Sequence, residues 1–226
     1  MLVTNPTGEM ADARLLTDVD DINALIAIFA GIAEQEGWQP GGELVAYRER
    51  SLYFGLYHQG ELVGGLQLVK TDELRALPCQ KVWPELEFAG RSDVAHVAML
   101  AVAQTVRGKQ GEDDGPSPFL FWLLCIAMWR WCQDNGINEL WLEATPRTLG
   151  CYRRLGWPLM LRGALREHWG EPCYLVSLDL HTVAQNVAEK AACSRAYRHI
   201  LALAEEAPSK FQQITRDGDE RQPCLE

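Results

Sequence analysis

VAHVAMLAVAQTVRGKQGEDDGPSPFLFWLLCIAMWRWCQDNGINELWLEATPRTLGCYRRLGW, residues Val94 to Trp157, decides the fold. Its first nine residues alternate small and large apolar side chains with one histidine, as a buried central strand does. A glycine-bearing loop follows. Ser117-Pro118 then sets a cap and a proline at the first helical position, and Asn135-Gly136 supplies the stop. The helix between them is apolar nearly all round and carries Trp122, Trp129 and Trp131, so it is either central or covered by a partner. Glu139 to Ala144 reads as a second strand, and Thr145-Pro146 caps a further helix bearing Tyr152 before the Gly156-Trp157 stop. Strand, helix, strand, helix in this order predicts an α/β fold.

Upstream, Leu52 to Tyr57 and Leu62 to Val69 are strand-like, and His58-Gln59-Gly60-Glu61 between them predicts a hairpin. Thr17 to Asp21 opens an amphipathic helix, with Ile22, Leu25, Ile26, Ile28 and Phe29 at helical spacing and Gly37 as its end. Thr71 to Asp93 is too polar and proline-broken for a strand and reads as a short helix with a covering loop. Downstream come a strand from Cys173 to Leu180 and a helix from His181 to Glu206. The expected organisation is a loose lead-in over 1–16, a single domain over 17–207 and a polar tail over 208–226.

Hydrophobic residues make up 47% and charged residues 23%, which places the chain among ordinary globular proteins. A net charge of -10 disfavours a nucleic-acid backbone as partner. Arg147, Arg153, Arg154, Arg162 and Arg166, against the single acid Glu167, form a local basic patch that either steers an anionic partner or lies on solvated faces. Seven scattered cysteines without metal-site spacing imply free thiols, a reducing cytoplasmic setting and no metal. The N-terminus has no secretory pattern, and Phe119 to Trp129 is about half the length of a membrane span.

The order from Val94 to Trp157 resembles the core of the GNAT acyltransferase superfamily. That resemblance implies a mixed, largely antiparallel central sheet flanked by helices, with a V-shaped splay between the strands Val94 to Val102 and Glu139 to Ala144. It also implies a thioester donor, acyl-CoA or acyl carrier protein, held along Leu100 and Val102 and at Arg107, Gly108, Lys109 and Gly111. Val82-Trp83-Pro84-Glu85-Leu86, together with Phe29, Gly37-Trp38 and Gly170-Glu171-Pro172, is similar to the autoinducer synthases and their N-acyl amino acid synthase relatives over roughly residues 25–180. The chain departs from that branch at three positions. Leu25, His96 and Met99 stand where those synthases carry an arginine, a glutamate and an arginine that face a charged acceptor. The donor loop also departs from the superfamily spacing, with Gln110 and Glu112 where glycines are expected.

The candidate chemistry follows. Backbone N–H groups at a helix start, with glycines allowing close approach, suit a diphosphate, although Glu112, Asp113 and Asp114 oppose it; the alternative is a flexible surface loop. A strand histidine, His96, either takes a proton from an attacking amine or is simply hydrogen-bonded in the core. Tyr152 either protonates a departing thiolate or anchors its helix to the sheet. The expected function is transfer of an acyl group longer than acetyl to a small amine. The alternatives are an acetyl-CoA-dependent N-acetyltransferase and a non-catalytic binding module on the same fold.

Overall fold

The computed structural model describes residues 2–4, 10–71, 77–86, 91–103, 106 and 118–206. Among the described residues, eight strands form one sheet in the order β1-β2-β3-β4-β5-β6-β8-β7, with β1 Leu2–Thr4, β2 Met10–Leu16, β3 Ser51–His58, β4 Glu61–Lys70, β5 Val94–Val102, β6 Glu139–Ala144, β7 Met160–His168 and β8 Glu171–Asp179. Every neighbouring pair is antiparallel except β5 and β6. The helices are α1 Val19–Glu36, α2 Glu43–Ala46, α3 Pro118–Asp134, α4 Pro146–Arg154, α5 Leu180–Cys193 and α6 Arg195–Glu206.

The hairpin β3–β4 turns through Gln59 and Gly60, both at positive φ (53° and 85°), the conformation whose twist matches the flanking strands. Asp18 caps α1 by accepting hydrogen bonds from the backbone of Asp20 and Asp21, and Gly37 closes it in the left-handed region. Its buried stripe, Leu25, Phe29 and Ile32, lies on one face of the sheet with Tyr53, Met99 and Ala101. The close approach is possible because residue 65 is glycine: a Cβ there would sit 2.1 Å from the Phe54 carbonyl oxygen and 2.9 Å from the Leu25 side chain.

The opposite face is covered by α3, whose Leu123, Leu124, Ile126, Ala127 and Trp131 join Phe54, Leu56, Leu68 and Ala95 in the largest core, with α5 and α6 contributing Val187, Ile200 and Leu203. The all-round apolar character of α3 is thus explained by burial within this chain. On the α1 face, the segment 77–86 covers what α1 leaves open. Trp83 is fully buried, donates from Nε1 to the Ala164 carbonyl (2.9 Å) and lies on Gly163, where a Cβ would meet its ring at 2.5 Å.

Several elements differ from the sequence reading. Residues 10–16, expected as lead-in, form β2, paired with β3 over six positions with Ala13 fully buried. β7 was not expected at all; it is an edge strand whose mostly exposed side chains give no buried periodicity. The expected helix 181–206 is two helices, broken where Ser194 takes extended angles (φ -125°, ψ 124°). The tail over 208–226 lies outside the described residues.

Candidate active site

β5 and β6 pair in parallel only from Val94–Glu139 to His96–Trp141. At that point β5 bulges. Gln67 of β4 opposes Met99 and Leu68 opposes Val97, so Ala98 is an extra residue that bends the strand. The expected V-shaped splay is therefore present, and the stretches Val97–Leu100 and Leu142–Ala144, unpaired with each other, leave a slot between the two strands.

The slot has unlike sides. Toward α3 and α5 lies an apolar cavity of about 100 Å³, lined by residues that include Trp122, Met128, Leu178, Val183, Ala184 and Ile200. Toward α1 and the segment 77–86 lies a cleft of about 140 Å³ with Trp38, Glu143, Thr145, Thr148, His168, Trp169 and Glu171 on its walls. Val97, Leu100, Leu142 and Tyr152 line both. Native interiors are close-packed, so an apolar cavity meeting a polar cleft across four shared side chains is a place built for a ligand with two unlike ends.

Glu143 sits at the cleft end of β6. Its carboxylate receives both contacts of His96 Nε2, at 3.0 and 2.9 Å, and both side chains are nine-tenths or more buried. Burial alone would push the Glu143 carboxyl up; the adjacent imidazole, its hydrogen bond and the charge of His168 outweigh that and hold it below the ordinary carboxylate value. His96 Nδ1 is buried with no hydrogen-bond partner. Facing a carboxylate, Nε2 is the ring nitrogen that donates to Glu143. Glu143 lines the cleft, and His96 stands behind it as the group that orients it. Sequence reasoning singled out His96 and passed over Glu143, because a glutamate two positions after Trp141 in ELWLEA reads as an outward-facing residue of an alternating strand.

Tyr152 is carried on α4, whose N-cap Thr145 accepts from the Thr148 backbone. Its ring stacks on Trp157 at 4.9 Å between centroids with 15° between planes. Burial pushes its phenol well above the ordinary value, so it stays protonated. Among the expected donor-binding residues, Leu100 lines both spaces, whereas the Val102 side chain is packed in the core. Arg107, Gly108, Lys109 and Gly111 lie outside the described residues. The basic patch is partly neutralised: Arg162 pairs with Glu139 (2.8 Å) and Arg166 with Glu85 (2.8 Å). Cys151 accepts a hydrogen bond from Arg154 at 3.1 Å.

Among the described residues no cluster of three or more metal-ligating side chains occurs, and no helix is long and apolar enough to cross a membrane.

No family model and no curated protein matches the sequence. Solved structures do match in fold. FeeM, an N-acyl amino acid synthase from uncultured soil microbes, superposes with a TM-score of 0.65 at 20% identity, covering 79% of this chain and 95% of that one. BjaI, a CoA-dependent acyl-homoserine lactone synthase, gives 0.59 at 18% identity, covering 83% and 92%. A putative N-acetyltransferase from Lactobacillus plantarum gives 0.52 at 14% identity over 75% and 98%. The fold of this chain is the GNAT-like fold that these proteins share.

Proposed function

We propose that the protein is an N-acyltransferase that moves an acyl group longer than acetyl from a thioester, on CoA or on acyl carrier protein, to a small amine. The observation that carries this reading is the slot at Ala98: an apolar cavity and a polar cleft meet there across four shared side chains, which suits a thioester whose acyl chain and acceptor lie on opposite sides. A cavity of about 150 Å³ holds benzene, so the roughly 100 Å³ here accepts about four carbons without rearrangement.

In the reaction the amine nitrogen bonds to the thioester carbon, and the carbon–sulfur bond then breaks. As the nitrogen–carbon bond forms, the nitrogen's proton becomes acidic, and the ionised Glu143 carboxylate, held by His96, receives it. The thiolate leaves toward Tyr152. Because burial raises the phenol far above a thiol, complete proton transfer from Tyr152 to sulfur is uphill; it stabilises the thiolate as a hydrogen-bond donor, and the proton collected by Glu143 ends on the thiol or in solvent. The likeness in fold to FeeM, an N-acyl amino acid synthase, and BjaI, a CoA-dependent acyl-homoserine lactone synthase, makes this the reaction class to test first.

The experiment presents octanoyl and acetyl groups on CoA and on carrier protein with a panel of amines, following thiol release and the mass of the amide. Faster release from the octanoyl thioesters with a matching amide mass is the expected result. Preference for acetyl-CoA would leave an acetyltransferase, and absence of any amide would leave a binding module. A carrier-protein preference that weakens with salt would point to the basic patch, in which Arg162 and Arg166 are paired with Glu139 and Glu85.

A further inference from the structure

The cleft walls specify the acceptor more narrowly than a small amine. Glu143 and Glu171 supply two carboxylates, and Trp38 and Trp169 supply two indoles. Among the described residues that line the cleft, none is lysine or arginine; His168 is the one basic side chain, and its Nε2 lies 3.5 Å from the Glu43 carboxylate.

Trp169 is held there against its own preference. It has φ 55°, in the left-handed region that bulky side chains avoid, at the turn between β7 and β8 with Gly170 at φ 88°. Two bonds fix it: its Nε1 donates to Glu43 Oε2 at 3.0 Å, and its carbonyl accepts from the Gln39 backbone at 3.0 Å. The second bond joins the turn to the residue after Trp38, so both indoles are brought to one cleft. Indole faces and carboxylates both attract cations and offer a carboxylate nothing.

Resting on the acyltransferase reading, we propose that the cleft selects an amine bearing a second positive centre and no carboxylate, of the linear diamine class. The unprotonated amine end attacks the thioester and gives its proton to Glu143 as the nitrogen–carbon bond forms, while the ammonium at the other end is held by Glu171 and the indole faces. The size agrees: about 140 Å³ is close to the roughly 150 Å³ that holds the six carbons of benzene, and 1,4-diaminobutane also has six heavy atoms.

The test compares three acceptors of one chain length, 1,4-diaminobutane, n-butylamine and 4-aminobutanoate, with octanoyl-CoA as donor, and measures calorimetric binding of each without donor. The diamine is expected to exceed n-butylamine at least tenfold in kcat/KM and 4-aminobutanoate by more, with the same order in binding. Glu171→Gln should narrow the ratio of diamine to n-butylamine to less than threefold. Trp169→Gly, which removes the indole and the unfavourable φ together, should raise the KM for the diamine about tenfold without lowering the melting temperature. A 4-aminobutanoate rate equal to or above that of the diamine overturns the proposal while leaving the acyltransferase standing. Diamine binding without turnover on any acceptor keeps the cation site and overturns the acyltransferase. Neither binding nor turnover overturns both.

Discussion

The two sides of the slot between β5 and β6 select by different physics. The cavity under α3 and α5 is walled almost wholly by carbon, so what it recognises is the transfer of apolar surface from water, at about 0.8 kcal/mol per methylene. The cleft on the other side holds Glu143, Glu171 and two indoles, where recognition is electrostatic and depends on the charge state of both partners. The difference teaches why the four shared residues matter. Among the described residues only Val97, Leu100, Leu142 and Tyr152 line both walls, and on the acyltransferase reading the bond to be broken lies among them.

Substitution on the polar side should produce the largest effect. Glu143→Gln keeps the size of the side chain and removes the base, so kcat is expected to fall by roughly 10²–10⁴ while the order of preference among acyl chain lengths is unchanged. Since the Glu143 carboxyl lies below the ordinary value, the wild-type rate, divided by the fraction of unprotonated acceptor amine, should hold through mildly acidic pH and fall only as pH drops through that lowered value. A pH–rate profile checks this, and the acid limb should vanish in the variant.

Tyr152→Phe comes next. The ring keeps its stacking on Trp157, and only the hydroxyl is lost, so a drop in kcat of roughly a hundredfold with a normal melting curve is expected. Single-turnover kinetics measure it directly. Wild-type turnover would return Tyr152 to an anchoring role and leave the boundary between the two sides without chemistry.

The smallest effect lies away from the slot, where β5 and β6 are still paired. Glu139 accepts from Arg91 at 2.7 Å and Arg162 at 2.8 Å. Burial would raise its carboxyl, but hydrogen bonds to Ser177, Arg91 and Arg162 prevail and lower it. A lowered carboxylate contributes stability above its unfolded value and loses it as pH falls through the folded one. Chemical denaturation of Glu139→Gln should show a loss of about 1 kcal/mol at neutral pH that disappears in acid, the size being limited by the exposure of Arg91 and Arg162.

Much of the fold was legible because its signals are local. Asp18 with Gly37, Gln59-Gly60, Asn135-Gly136 and Thr145-Pro146 each act within a few residues of themselves, and the elements they bound were placed within a residue or two. β7 was not legible, because MLRGALREH is an edge strand with only Gly163 buried. β2 was missed because its pairing with β3 joins residues 37 to 47 positions apart. The site was half legible. Tyr152 and His96 stood out by type and position, but Glu143 acquires its role from His96 across the sheet and Trp169 from Glu43, 126 residues away. The Ala98 bulge, which makes the slot, depends on how Gln67 and Leu68 register with β5.

The central claim is that one slot joins an apolar acyl side to a charged acceptor side. Its most direct test is kcat/KM for a series of acyl-CoAs from two to twelve carbons, in the wild type and in Ala184→Phe, which places a ring in the cavity. For the wild type, values should rise about fourfold per added methylene over the first several carbons and then level off as the cavity fills. Ala184→Phe should flatten the rise and leave acetyl-CoA unaffected. A wild-type series that is flat or falls from acetyl-CoA onward, unchanged by Ala184→Phe, would contradict the account.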